Sequence, residues 1–138
     1  MHKIIYGIMV LNLSGVLLLV ALLFWPVHLP ILYNEPFPVF PTEVKRGETI
    51  SYVMEYDKRQ SFPADIYKNI VCDDGNLVTL APKITNIPIG SGKVTPTIVI
   101  PEKTSLGICH VEIEHVYKIN PVRTAHQSFS TDNFDVIE

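Results

Sequence analysis

Cys72 and Cys109 are the two cysteines of this chain, and a thiol pair can form a disulfide, help bind a metal or stay buried and inert. Cys72 closes one strand-like stretch and Cys109 opens another. If those strands are antiparallel neighbours, the end of one faces the start of the other, and the Cα atoms fall in the roughly 4.4–6.8 Å window of a disulfide. Such a bridge would span 37 residues, would be worth about 2–4 kcal/mol and would form in an oxidising compartment. Two buried free thiols fit the same sequence. Two cysteines alone do not make a structural zinc site.

Other residue clusters exclude more than they offer. His110 and His115 are five apart, so on a strand they face opposite sides and cannot share a metal. His110, Glu112 and Glu114 share a face, which an exposed polar surface explains without a ligand. Asp73-Asp74-Gly75-Asn76 lacks the spaced oxygens and terminal Glu of a calcium loop and reads as a tight hairpin. Gly90-Ser91-Gly92-Lys93 is a fragment of a phosphate loop, but Ile87 and Val94 stand where Gly and Ser/Thr are required. No Gly-x-Ser-x-Gly nucleophile turn is present. No catalytic, cofactor or metal residue is assigned. Lys58, Arg59 and Arg123, with aromatic residues near them in sequence (Tyr56, Phe62 and Tyr67), form a candidate partner surface of the Arg-and-aromatic type common at protein interfaces.

The element that positions all of these is the apolar run 4–25, IIYGIMVLNLSGVLLLVALLFW. As a helix its 22 residues extend about 33 Å, enough for a hydrocarbon core of roughly 30 Å. Tyr6 and Trp25 bracket it, about 28 Å apart, as interfacial aromatic anchors do. The run is longer than a signal-peptide core and ends in Leu-Leu-Phe-Trp-Pro without a small-residue cleavage site, so an uncleaved signal anchor is expected over residues 1–25. The α-amino group and Lys3 precede it, and no Lys or Arg follows until Lys45. The positive-inside rule then places the N-terminus in the cytoplasm and the rest on the periplasmic or extracytoplasmic side. Asn12, Ser14 and Gly15 are the span's candidates for association with another helix, with Gly7 on the same side, although no GxxxG occurs. The sequon Asn12-Leu13-Ser14 lies inside the span.

Pro26, Pro30, Pro36, Pro38 and Pro41 end the helix and predict a stiff, extended stalk over residues 26–41 that runs into a first edge strand. Residues 37–138 have the length of one small domain. From Phe37 onward 10 Lys and Arg stand against 13 Asp and Glu, well mixed, which argues against a nucleic-acid surface. Period-2 alternation predicts strands over 49–56, 64–71, 77–80, 93–100, 109–119 and 128–137, separated by Gly, Asp and Pro turn signals. In 109–119, Cys109, Val111, Ile113, Tyr117 and Ile119 share one face, and His110, Glu112, Glu114 and Lys118 the other. About seven short strands without a helical stripe point to an all-β, antiparallel, immunoglobulin-like sandwich behind one transmembrane helix.

Several short motifs then carry a resemblance. They are Arg46-Gly47-Glu48, Tyr52-x-x-x-Tyr56, Pro101 with Leu106-Gly107, Tyr117-x-x-Asn120-Pro121-x-Arg123, and Phe134 and Val136 near the end. Together they resemble small, uncharacterised, single-pass membrane proteins with an immunoglobulin-like domain, encoded by tailed phages and prophages of Gram-negative bacteria. The resemblance covers about 90 residues. The Pro-x-Gly-x-Tyr entry to the sixth strand is replaced here by Leu106-Gly107-Ile108-Cys109. It implies a fold and a setting but no activity. The expected function is a non-enzymatic interaction or structural protein on a membrane, engaging a protein partner or another copy of itself. The alternatives are an accessory single-span subunit of a membrane or virion assembly, and an envelope protein of superinfection control or lysis. No residue favours an enzyme, a cofactor, a small-molecule substrate or a nucleic-acid partner.

Overall fold

The computed structural model describes residues 2–85 and 87–138. Met1, whose α-amino group enters the orientation argument, lies outside them, as does the side chain of Lys3. The chain begins with α1 (His2–Phe24), and its segment Ile5–Phe24 is long and apolar enough to cross a membrane. None of its residues is fully buried, and only Leu22, near its end, is half-buried. A helix that is apolar all round and uncovered by its own protein needs an apolar surrounding. Pro26 lacks an amide hydrogen, and the helix has already ended two residues before it.

Beyond the helix the chain is mostly strand. The first six strands are β1 (Ile31–Leu32), β2 (Val39–Phe40), β3 (Glu43–Lys45), β4 (Thr49–Tyr52), β5 (Met54–Lys58) and β6 (Ala64–Cys72). After them come β7 (Leu77–Thr79), β8 (Lys83–Thr85), β9 (Gly90–Val94), β10 (Thr97–Val99), β11 (Gly107–Asn120), β12 (Arg123–Ser130) and β13 (Phe134–Ile137). One sheet runs β3-β13-β11-β6-β7, with β12 also on β11 and β8 on β6; a second runs β10-β4-β2; a small third runs β1-β5-β9. Pairing is antiparallel except between β3 and β13.

A single core joins the layers. Ile50, Tyr52 and Ile98 from one side pack with Ile66, Ile70, Val78, Val111, Ile113 and Phe134 from the other. The alternation that produces this is clearest in β11, where Cys109, Val111, Ile113, His115 and Tyr117 point inward and Glu112, Glu114 and Lys118 outward. From Cys109 to Asn120 this strand runs about 37 Å, so its two ends define two ends of the head.

Three expected strands are divided. Residues 93–100 break at Thr95-Pro96, where Pro96 has no donor for a ladder. Opposite it, residues 49–56 change partners: β4 pairs with β10 and β2, then β5 with β9 and β1. Residues 128–137 break at Thr131, whose hydroxyl accepts the Val111 amide at 2.9 Å in place of a strand carbonyl.

The proline-rich segment 26–41 runs into two edge strands and packs on the head. Phe37 is fully buried and stacks against Tyr52, while β1 and β2 each join a sheet. Asn34, in the left-handed region at φ 40°, donates to the Val53 carbonyl and accepts from the Glu55 amide, tying the segment to the start of β5. Proline removes donors without preventing an apolar side chain from burying, and Phe37 uses that freedom.

Candidate functional site

The end of α1 meets the tip of the β11–β12 hairpin. A helix leaves its last carbonyls without partners, and here side chains nearly 100 residues away supply them. The Asn120 amide donates to the Leu22 carbonyl at 2.7 Å, and the Arg123 guanidinium donates to the Trp25 carbonyl at 2.8 Å. Asn120 also accepts the Val122 amide at 3.0 Å, which fixes the hairpin turn. A cation at a helix C-terminus gains from the helix dipole as well, typically about 0.3–1 kcal/mol. Two further bonds tie down the chain after the helix: His28 donates its amide to the Gln60 side chain at 2.9 Å, and Gln127 donates to the Pro30 carbonyl at 3.2 Å.

Between α1 and the head lies a cavity of about 550 Å³, lined by Leu18, Leu22, Trp25, Phe62, Ile119 and Asn120 among others. Trp25 and Val122 are exposed at this end. Lys118 pairs with Asp65 at 2.9 Å, and hydrogen bonding to that carboxylate raises the Lys118 pKa. The helix-proximal end of the head is therefore aromatic, apolar and basic together.

The remaining predicted residues are dispersed. Tyr6 is exposed on the helix. Asn12 donates to the Ile8 carbonyl and Ser14 to the Leu11 carbonyl, both at 2.9 Å, so each spends a donor on its own helix. Gly15 and Gly7 have open space around them. Cys72 and Cys109 are directly opposed across β6 and β11 and are joined in a disulfide, with Cα atoms 4.0 Å apart. They lie at the end of β11 remote from the helix and join neighbours within one sheet.

Lys58 does not join Arg59 and Arg123 on the surface. Lys58 is 2 % exposed and donates to the Ile87 carbonyl at 2.6 Å. It follows Met54 and Tyr56 on the inward parity of β5, which is why it is not the surface residue expected. Arg59 is exposed, 3.8 Å from Asp57. Arg123 is occupied by the Trp25 carbonyl.

A second group was missed in the sequence: basic and polar side chains pointing between the layers. His115 is 1 % exposed, with its Nδ1 3.0 Å from the Tyr117 hydroxyl. Burial lowers its pKa to about 4, with the Lys68 charge adding to the effect, and burial pushes Tyr117 up to about 12. Gln127 sits directly across from His115, and the Nε2 of one and the Oε1 of the other have no partner among the described residues. Lys68 is 8 % exposed, with its ammonium 5.3 Å from the centre of the Tyr52 ring. Burial and the nearby Lys83 lower its pKa to about 8.

Among the described residues no three His, Cys, Asp or Glu side chains are grouped to hold a metal, and no cysteine is free to act as a nucleophile. The 73–76 segment forms a hairpin turn, with Gly75 at φ 85° and its amide on the Cys72 carbonyl. The 90–93 segment lies in β9.

No protein-family model matches the chain, and no curated protein matches it. Solved structures give distant likenesses. One is the Pseudomonas fluorescens alkylpurine DNA glycosylase AlkC bound to DNA containing an abasic site analog, at 14% identity and a TM-score of 0.44, covering 72% of this chain and 30% of that one. Another is Spo0M, a sporulation control protein from Bacillus subtilis, at 15% identity and a TM-score of 0.46, covering 80% of this chain and 50% of that one. The chain spans at most half the length of either, and similarity at this level assigns neither fold nor activity.

Proposed function

We propose that this chain is a membrane-anchored, non-enzymatic interaction or structural protein. It holds an immunoglobulin-like head against the non-cytoplasmic face of a bilayer, in the phage or prophage setting its motifs resemble. The observation that carries this is the junction itself. Asn120 and Arg123 bind the carbonyls at the end of an otherwise uncovered apolar helix, so the head is seated on its anchor and does not hang from a loose tether. Trp25, Val122, Arg59 and Arg123 at this end suit the headgroup region, where aromatic rings and cations concentrate. The order β2-β4-β10 beside β13-β11-β6 supports an immunoglobulin-like reading, since it follows the A-B-E and G-F-C pattern of that sandwich. The disulfide departs from it, because the bridge of antibody domains crosses between sheets.

The test is membrane fractionation with protease protection. The full chain stays in the pellet after alkaline carbonate extraction, and its head is digested when protease is added outside spheroplasts. A chain released by carbonate, or a head digested only after lysis, overturns the reading.

A further inference from the structure

The two layers part at one edge around a cavity of about 320 Å³, at the small end of the roughly 300–1,000 Å³ typical of ligand pockets. Tyr52, Met54, Ile66 and Val94 line it with apolar surface, and Lys68 is the buried charge that reaches it. An ammonium carries three donors and no acceptor. Among the described residues the Lys68 ammonium makes no hydrogen bond or ion pair; its one contact is the face of Tyr52, at 5.3 Å. Lys83 lies on the same cavity and repels it. A charge largely removed from water and left without a counter-ion is costly, and an anion at this position would offset both the partial desolvation and the repulsion.

We propose that this cavity binds a medium-chain fatty carboxylate, with the headgroup on the Lys68 ammonium beside Lys83 and the alkyl chain along Met54, Ile66 and Val94. The chemistry of the wall selects the class. Thr85, Thr95 and Thr97 complete the wall beside the apolar residues, and a volume at the small end for a ligand pocket suits one short alkyl chain better than a two-tailed lipid. One buried ammonium with a second at the rim suits a single negative charge. A neutral analogue would leave the Lys68 donors vacant and forfeit a charge-assisted hydrogen bond.

The test uses the full chain in nanodiscs, titrated with [1-¹³C]octanoate and followed by carboxyl NMR, with empty nanodiscs subtracted. Saturable one-to-one binding is expected, at least tenfold tighter than binding of octanamide to the same sample. Lys68→Met is expected to weaken octanoate at least tenfold, and Lys83→Met less than Lys68→Met. Should Lys68→Met fail to fold, the wild-type comparison of octanoate with octanamide decides. A second wild-type measurement, the Lys68 ¹³Cε titration, is expected to move up from about 8 when octanoate is saturating. No binding above empty nanodiscs, equal binding of octanoate and octanamide, an unaffected Lys68→Met, or an unmoved Lys68 titration would each overturn the assignment.

Discussion

Acid should unfold the head through His115. The imidazole is packed between Phe129 and Tyr117, with ring centroids 5.4 and 5.9 Å away, and is 1 % exposed. Its pKa falls from 6.5 to about 4. Between those values the unfolded chain takes up a proton that the native state refuses, so native stability falls as pH falls through this window and is unaffected by the residue above 6.5. At about 1.4 kcal/mol per pH unit, the gap corresponds to a loss of about 3 kcal/mol by pH 4. That is a large share of the about 5–15 kcal/mol that holds a typical domain folded. The titratable groups beside His115 do not blur the window: burial pushes Tyr117, on the same strand, up to about 12, and burial with the Lys83 charge lowers Lys68, on neighbouring β6, to about 8. Glu114 and His126 lie on the other face of the sheet and cancel in a comparison with His115→Gln, which keeps a neutral polar side chain. The assay is urea unfolding of the full chain in a neutral detergent, followed by near-ultraviolet circular dichroism from the tyrosines, at intervals from pH 7.5 to 4. The wild-type curve should fall by about 3 kcal/mol relative to His115→Gln over that range. Parallel curves, or an imidazole titration midpoint near 6.5 by NMR, would refute the argument.

Other expectations come from the same structure. Lys68→Met should stabilise the head by about 1–3 kcal/mol at pH 7, because burial of the ammonium penalises the native state fully below its native value of about 8. The advantage should shrink toward zero as pH rises to 10.5, and unfolding curves at pH 7 and 10.5 that differ from wild type equally would count against it. Replacing Cys72 and Cys109 together by Ala should cost about 2–4 kcal/mol by removing the cross-link of a 37-residue separation, read as a shift in the urea midpoint. Ile70→Ala, at a fully buried position, should cost about 2–5 kcal/mol in the same assay. The pair Asn120→Ala and Arg123→Ala should speed hydrogen exchange after Trp25 while changing head stability by only about 1–2 kcal/mol. Unchanged exchange there would mean that the hairpin does not seat the helix.

How much of this was legible depended on whether the signal was local. The long apolar helix was visible because 22 uninterrupted uncharged residues are long and apolar enough to cross a bilayer. β11 was visible because one face is buried and the other wet, so its alternation is clean. The bond between Cys72 and Cys109 was conceivable from the strand ends, but their direct opposition required the pairing of β6 with β11. What stayed hidden was set by distant partners. Prolines forbade a helix in 26–41, yet nothing local said that Phe37 would enter the core or that Asn34 would bridge to β5. Asn120-Pro121 read as a turn, but its use as a cap joins residues 98 apart in sequence.

The buried basic residues make a different case, because their signal was present in the strand parity. Lys58 continues the parity of Met54 and Tyr56, Lys68 that of Ile66 and Ile70, and His115 that of Ile113 and Tyr117. A basic residue on the inward parity of an apolar strand is either neutralised, hydrogen-bonded or waiting for a partner, since water no longer solvates it. Lys58 takes the second course, on the carbonyl of Ile87. His115 takes the first and part of the second, staying neutral above its lowered pKa beside the Tyr117 hydroxyl. Lys68 does neither: its pKa of about 8 keeps it charged at neutral pH, and its partner is an aromatic face with no lone pair to offer. The same rule applied to three residues therefore separates two that are hydrogen-bonded from one that has only an aromatic face, and that one opens onto a cavity.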